Sequence, residues 1–63
     1  MKFNEYDSVR ICKDYNECVK KGDVGVVVML FTMPNEAYEV EFLDENGYTK
    51  AVCTLQPDDL ERL

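Results

Sequence analysis

The side chains best equipped for chemistry are three cysteines, Cys12, Cys18 and Cys53, and two adjacent carboxylate pairs, Asp44-Glu45 and Asp58-Asp59. A thiol acts as nucleophile or metal ligand only as its thiolate, so it needs a base, a cation or a metal beside it. The chain has no histidine, no Cys-x-x-Cys and an odd cysteine count, which fits neither an ordinary zinc site nor a secreted disulfide framework. Thiols kept reduced in a cytoplasm fit better. A carboxylate pair can divide acid and base roles when one member is desolvated and its pKa rises. Both pairs here fall in turn-forming sequence, where such residues close turns and cap helical ends. The expectation is a non-enzyme with no catalytic residue, no metal site and no cofactor.

Binding is the remaining chemistry, and charge constrains it. Residues 1–30 hold five basic and five acidic side chains, whereas residues 31–63 hold two basic and eight acidic, which accounts for the net charge of −6. Such a surface repels phosphate backbones and anionic lipid; it suits a basic protein partner or simply keeps the chain soluble. Lys21-Gly22-Asp23-Val24-Gly25-Val26-Val27 resembles the glycine-bearing turn that opens the KOW motif of ribosomal and transcription-factor barrels. That resemblance implies nucleic-acid contact through Lys20–Asp23 as an alternative function. The local cations Arg10, Lys13, Lys20 and Lys21 stand against a net acidic molecule, so nucleic acid is the disfavoured partner. Tyr6, Tyr15, Tyr38 and Tyr48 do not make the proline-peptide groove of signalling SH3 domains, because tryptophan and the Ala-Leu-Tyr-Asp-Tyr stretch are absent. They read as half-buried packing residues.

The elements that must position these residues are short and extended. Sixty-three residues make one small domain, 1–63. Met1 to Arg10 lacks a signal-type apolar core, and Val24–Phe31 is far shorter than the ~20 apolar residues of a spanning helix, so a soluble, unprocessed, cytoplasmic chain without membrane contact is expected. Met1 to Tyr6 reads as a lead-in that packs one aromatic ring. From Asp7 to Lys13, Val9 and Ile11 alternate with Ser8, Arg10 and Cys12 as in a strand with one buried face. Asp14 to Lys21 reads as an irregular loop whose tip offers Tyr15, Asn16 and Glu17. Gly22 and Gly25 allow positive φ or a tight bend ahead of the second strand, Val24 to Met33. That strand is apolar on both faces, with Val26, Val28 and Leu30 on one and Val27, Met29, Phe31 and Met33 on the other. Either bending covers both, or Met29, Phe31 and Met33 form a candidate oligomer interface.

The third strand, Ala37 to Leu43, sets Tyr38, Val40 and Phe42 against Glu39 and Glu41. Asn46-Gly47 is a hairpin signal of the type I′ kind. It places Phe42 opposite Ala51, Val40 opposite Cys53 and Tyr38 opposite Leu55 on one buried face, with Glu39, Glu41, Leu43, Lys50 and Val52 on the other. Cys53 is then a small buried hydrophobe. Pro57 suits the start of a single helical turn, after which Leu60 and Leu63 drop onto the sheet, Leu63 within a last short strand. This order predicts an all-β, SH3-like small barrel of four to five antiparallel strands with one short 3-10 turn near the C-terminus.

The stretches Lys20-Lys21-Gly22-Asp23-Val24-Gly25-Val26-Val27, Glu36-Ala37-Tyr38-Glu39-Val40-Glu41-Phe42 and Thr54-Leu55-Gln56-Pro57-Asp58-Asp59-Leu60, with Glu5 to Arg10, resemble a family of very small bacterial proteins, common in cyanobacteria and classed as a domain of unknown function. Its members are small and stand-alone and often lie beside a gene for another small protein, which implies an antitoxin-like or immunity-like role. Charge and hairpin register together point to a protein-binding module. Its candidate contact surface is Glu39, Glu41, Leu43, Asp44, Glu45 and Val52, an apolar centre with an acidic rim facing a basic partner. A structural homodimer through Met29, Phe31 and Met33 is the other alternative.

Overall fold

The alternating segments fold as β1 (Ser8–Ile11), β2 (Val24–Phe31), β3 (Ala37–Leu43), β4 (Thr49–Leu55) and β5 (Leu60–Arg62), with a 3-10 turn over Pro57–Asp59, in a computed structural model that describes residues 2–63. Every pairing is antiparallel, and the order across the sheet is β4-β3-β2-β1-β5. The short strand after the 3-10 turn thus returns to β1, which closes the chain into the expected SH3-like barrel. Among the described residues no helix is long and apolar enough to cross a membrane.

The inner face gathers Val9, Ile11, Val27, Tyr38, Val40, Phe42, Cys53, Leu55 and Leu60, all buried. Two more core residues come from irregular segments. Phe3, in the lead-in, packs edge-on against Tyr38 with ring centroids 5.2 Å apart. Val19 is buried from within the long loop because that loop folds back on itself. Asn16 Oδ1 accepts from the Cys18 and Val19 amides, and Tyr15 and Asn16 donate to the Val19 carbonyl. The loop tip expected to offer Asn16 therefore uses that side chain internally.

The β2 face assignment needs correcting. Register slips by one residue between Val27 and Met29, so Val27 faces Val40 while Met29 faces Glu39 and Phe31 faces Ala37. Beyond the bulge the parity inverts. Val27 is core, Val26 and Met29 lie on the carboxylate side, and Leu30 pairs with Tyr38. The strand also ends at Phe31; Thr32 and Met33 belong to the loop before Pro34, which has no N–H to continue a ladder. Gly25 is needed for space rather than for positive φ, since a Cβ there would sit 2.7 Å from the Glu41 carbonyl oxygen. Gly22, at φ +95°, does take the left-handed region, closing the Lys20–Asp23 turn.

At the β3–β4 hairpin the core register is as expected: Phe42↔Ala51, Val40↔Cys53 and Tyr38↔Leu55. The turn itself differs. Only Gly47 has positive φ, Gly47 N–H donates to the Asp44 carbonyl and Asp44 N–H to that of Tyr48, so the loop is one residue longer than a type I′ turn. A second irregularity between Phe42 and Leu43 sets Leu43 against Thr49 and restores the parity. β1 is shorter than Asp7 to Lys13, and Leu63 lies outside β5 and exposed, its amide donating to the Ser8 carbonyl.

Candidate functional site

The outward side of β2, β3 and β4 carries the features that the core does not need. Period-two alternation in β3 buries Tyr38, Val40 and Phe42 and sends Glu39, Glu41 and Leu43 the other way. Register then builds rows across the sheet: Val26, Glu41 and Val52; Met29, Glu39 and Thr54; Phe31 and Ala37. Met29 is 49% exposed, Leu43 42% and Val52 50%, so carboxylates and apolar side chains share one open surface.

Glu39, Glu41, Leu43 and Val52 are brought together there, and Met29 and Phe31 join them. The surface expected for a partner and the one expected for a second copy are thus a single face. Met33 lies in the adjoining loop, 81% exposed. Asp44 and Glu45 belong to the turn; Asp44 Oδ1 accepts from the Asn46 and Tyr48 amides and so holds the turn shut. Lys50, expected on this face, instead bonds Asp23 at 2.9 Å. That contact and the Lys20 amide hold the Asp23 carboxyl below its usual range, with the amide the larger cause, and Asp23 in turn raises Lys50.

Among the described residues neither Glu39 nor Glu41 has an ion-pair partner; Glu41 accepts only from the Thr49 hydroxyl, at 2.8 Å. Four cations are committed elsewhere, Lys50 to Asp23 as above. Arg10 pairs with Glu61, Lys13 with Asp59 and Arg62 with Asp7. Cys12 and Cys18 are exposed and Cys53 is buried, where loss of solvent pushes its thiol up.

At the loop end of the same face, a cleft of about 410 Å³ opens between the β2–β3 loop and the end of β4. Phe31, Met33, Pro34, Ala37 and Leu55 give it apolar walls, and Glu36 lies among its polar lining with Asn35, Thr54 and Gln56. Glu36 Oε2 accepts from the Tyr38 hydroxyl and from the Lys2 amide, while that hydroxyl accepts from the Phe3 amide at 3.1 Å. The Tyr38 bond is the main reason the Glu36 carboxyl stays below its usual range; burial is the main reason the Tyr38 phenol is pushed up. Sequence reading missed Glu36 because one partner, the Lys2 amide, lies thirty-four residues away in the chain and the other, Tyr38, reads wholly as a core packing residue.

The model of the family described as Domain of unknown function (DUF4926) matches residues 5–62. No curated protein and no solved structure matches the chain.

Proposed function

The chain belongs to the DUF4926 family, whose description carries no activity, and on its geometry we propose that it is a small non-catalytic protein-binding module that docks a basic protein on the outward face of β2, β3 and β4. One observation carries the reading. Glu39 and Glu41 stand amid Val26, Met29, Leu43 and Val52 with no ion-pair partner among the described residues. An apolar patch holding uncompensated carboxylates complements a surface of apolar side chains and lysine or arginine. A second copy complements it poorly, because face-to-face pairing would set four like charges together. Nucleic acid gains little support: of the four cations near the Lys20–Asp23 turn, Arg10 and Lys13 are tied to Glu61 and Asp59, which leaves Lys20 and Lys21 as the two exposed cations in no ion pair among the described residues. In a cytoplasm, such a module fits an antitoxin-like or immunity-like role, covering a basic functional surface of its partner.

The test is capture of the partner by the wild-type chain and by Glu39→Lys/Glu41→Lys, followed by reconstitution from purified proteins. Binding should weaken at least about tenfold in the double variant and fall with added salt. Unchanged affinity and unchanged salt sensitivity would refute the face. A wild-type dimer by sedimentation that Phe31→Lys converts to monomer would favour the second copy instead.

A further inference from the structure

We propose that the cleft between the β2–β3 loop and β4 receives an arginine side chain of the docked protein, aliphatic stem on the apolar walls and guanidinium on Glu36. The proposal rests on the docking reading, from which it takes its partner, but stands on separate geometry. The cleft continues the row of Phe31 and Ala37, so a protein seated on the face reaches it directly. Its walls, Phe31, Met33, Pro34 and Leu55, suit a hydrocarbon stem. Among the described residues no basic side chain lines it. Lys2, whose amide reaches Glu36, turns its ammonium to the Pro57 carbonyl at 3.3 Å.

Glu36 decides the charge of the ligand. Its Oε2 is held by two donors, Tyr38 and Lys2, whereas Oε1 has no hydrogen-bond partner among the described residues. A purely apolar ligand would cover the unpartnered Oε1 and leave it without a donor, which is costly, and an anion would be repelled. A guanidinium presents five donors in a planar fork and stacks on aromatic faces. Phe31 among the walls supplies such a face, and the Thr54 hydroxyl in the lining adds an acceptor to that of Glu36 Oε1.

The experiment is an amide-resolved NMR titration of the full chain with N-acetyl-arginine-N-methylamide, beside its citrulline and lysine analogues. Saturable shifts confined to Phe31–Ala37 and Thr54–Gln56 are expected with arginine, and none with uncharged citrulline. Glu36→Gln, which can still accept from Tyr38 and Lys2, should weaken binding about tenfold or more. Met33→Ala, at an exposed loop position outside any strand, should weaken it about threefold by removing one wall. Shifts equal for citrulline, equal affinity for lysine, or no saturable shifts would overturn the assignment. Shifts centred on Glu39 and Glu41, or partner capture sensitive to those residues but indifferent to Glu36→Gln, would overturn the cleft while leaving the docking face standing.

Discussion

At the β1–β5 end of the sheet, opposite charges face one another. Arg10 and Glu61 are partners both in strand register and as an ion pair at 3.2 Å, Lys13 reaches Asp59 at 3.1 Å, and Arg62 reaches Asp7 at 3.3 Å. On the outward side of β2, β3 and β4 the pattern reverses: Glu39 and Glu41 occupy alternate positions of one strand, amid apolar side chains and with no ion-pair partner among the described residues. Exposed ion pairs are each worth only ~0–1 kcal/mol, so the difference is small as stability. As surface chemistry it is large. One end of the sheet is electrically satisfied in the free chain, while the other leaves its charge and its apolar area for a partner to satisfy.

The comparison holds only if both regions share one core, which gives the largest expected effect. Phe42→Ala, beneath the acidic face, should cost about 3–5 kcal/mol, and Ile11→Ala, beneath the paired end, about 2–5 kcal/mol. Total stability for a chain this short is on the order of 3–9 kcal/mol, so either variant should lose a large part of it, read as a lower midpoint of one cooperative urea transition. If Phe42→Ala frees the β3–β4 amides to exchange while those of β1 and β5 stay protected, the two regions are separate units. Gly25→Ala probes the seam where β2 pairs with β3. Its new methyl would meet the Glu41 carbonyl and Val40, for a loss of about 1–3 kcal/mol in the same measurement.

Much of this division was legible in the chain. Alternation in Ala37–Leu43 and the parity of the hairpin placed Glu39 and Glu41 outward and Cys53 inward, because a strand has only two faces and the apolar set fills one. β2 was not legible, since apolar residues on both faces carry no phase and nothing in Val26-Val27-Val28 marks the bulged residue. The hairpin survived its misjudged turn only because the later irregularity near Lys50 compensated the longer loop. Val19, Phe3 and Glu36 were invisible or half-visible for another reason. Their places depend on side-chain-to-backbone bonds between distant or non-periodic segments, and periodicity reports only repeating local geometry.

Acid tests the joints between the two regions. Asp23 ties the start of β2 to Lys50 of β4, and Glu36 ties the β2–β3 loop to Lys2 and Tyr38. Both carboxyls titrate lower when folded than when unfolded, so their contribution is complete above about pH 5 and is lost as pH falls through the folded values. Thermal midpoints should be level near neutrality and decline below that point. Asp23→Asn and Glu36→Gln should each lower the midpoint at neutral pH and flatten the acid decline. A decline as steep in the double variant as in the wild type would assign acid sensitivity to other carboxylates.

The smallest effect bears most directly on the contrast of charge. Glu39→Lys sets a cation beside Glu41 on the same outward face, where like charges now stand, and should raise stability by about 0.2–0.5 kcal/mol. Glu61→Lys sets like charges across the register from Arg10 and should lower it by a similar amount. Both differences should shrink toward zero near ~1 M salt, where the screening length falls to about 3 Å. Opposite signs at low salt that converge at high salt identify the contrast as electrostatic. A loss of stability in Glu39→Lys would mean that Glu39 makes a favourable contact in the free chain, and the acidic face would then be part of the fold's own support rather than a surface left open for a partner.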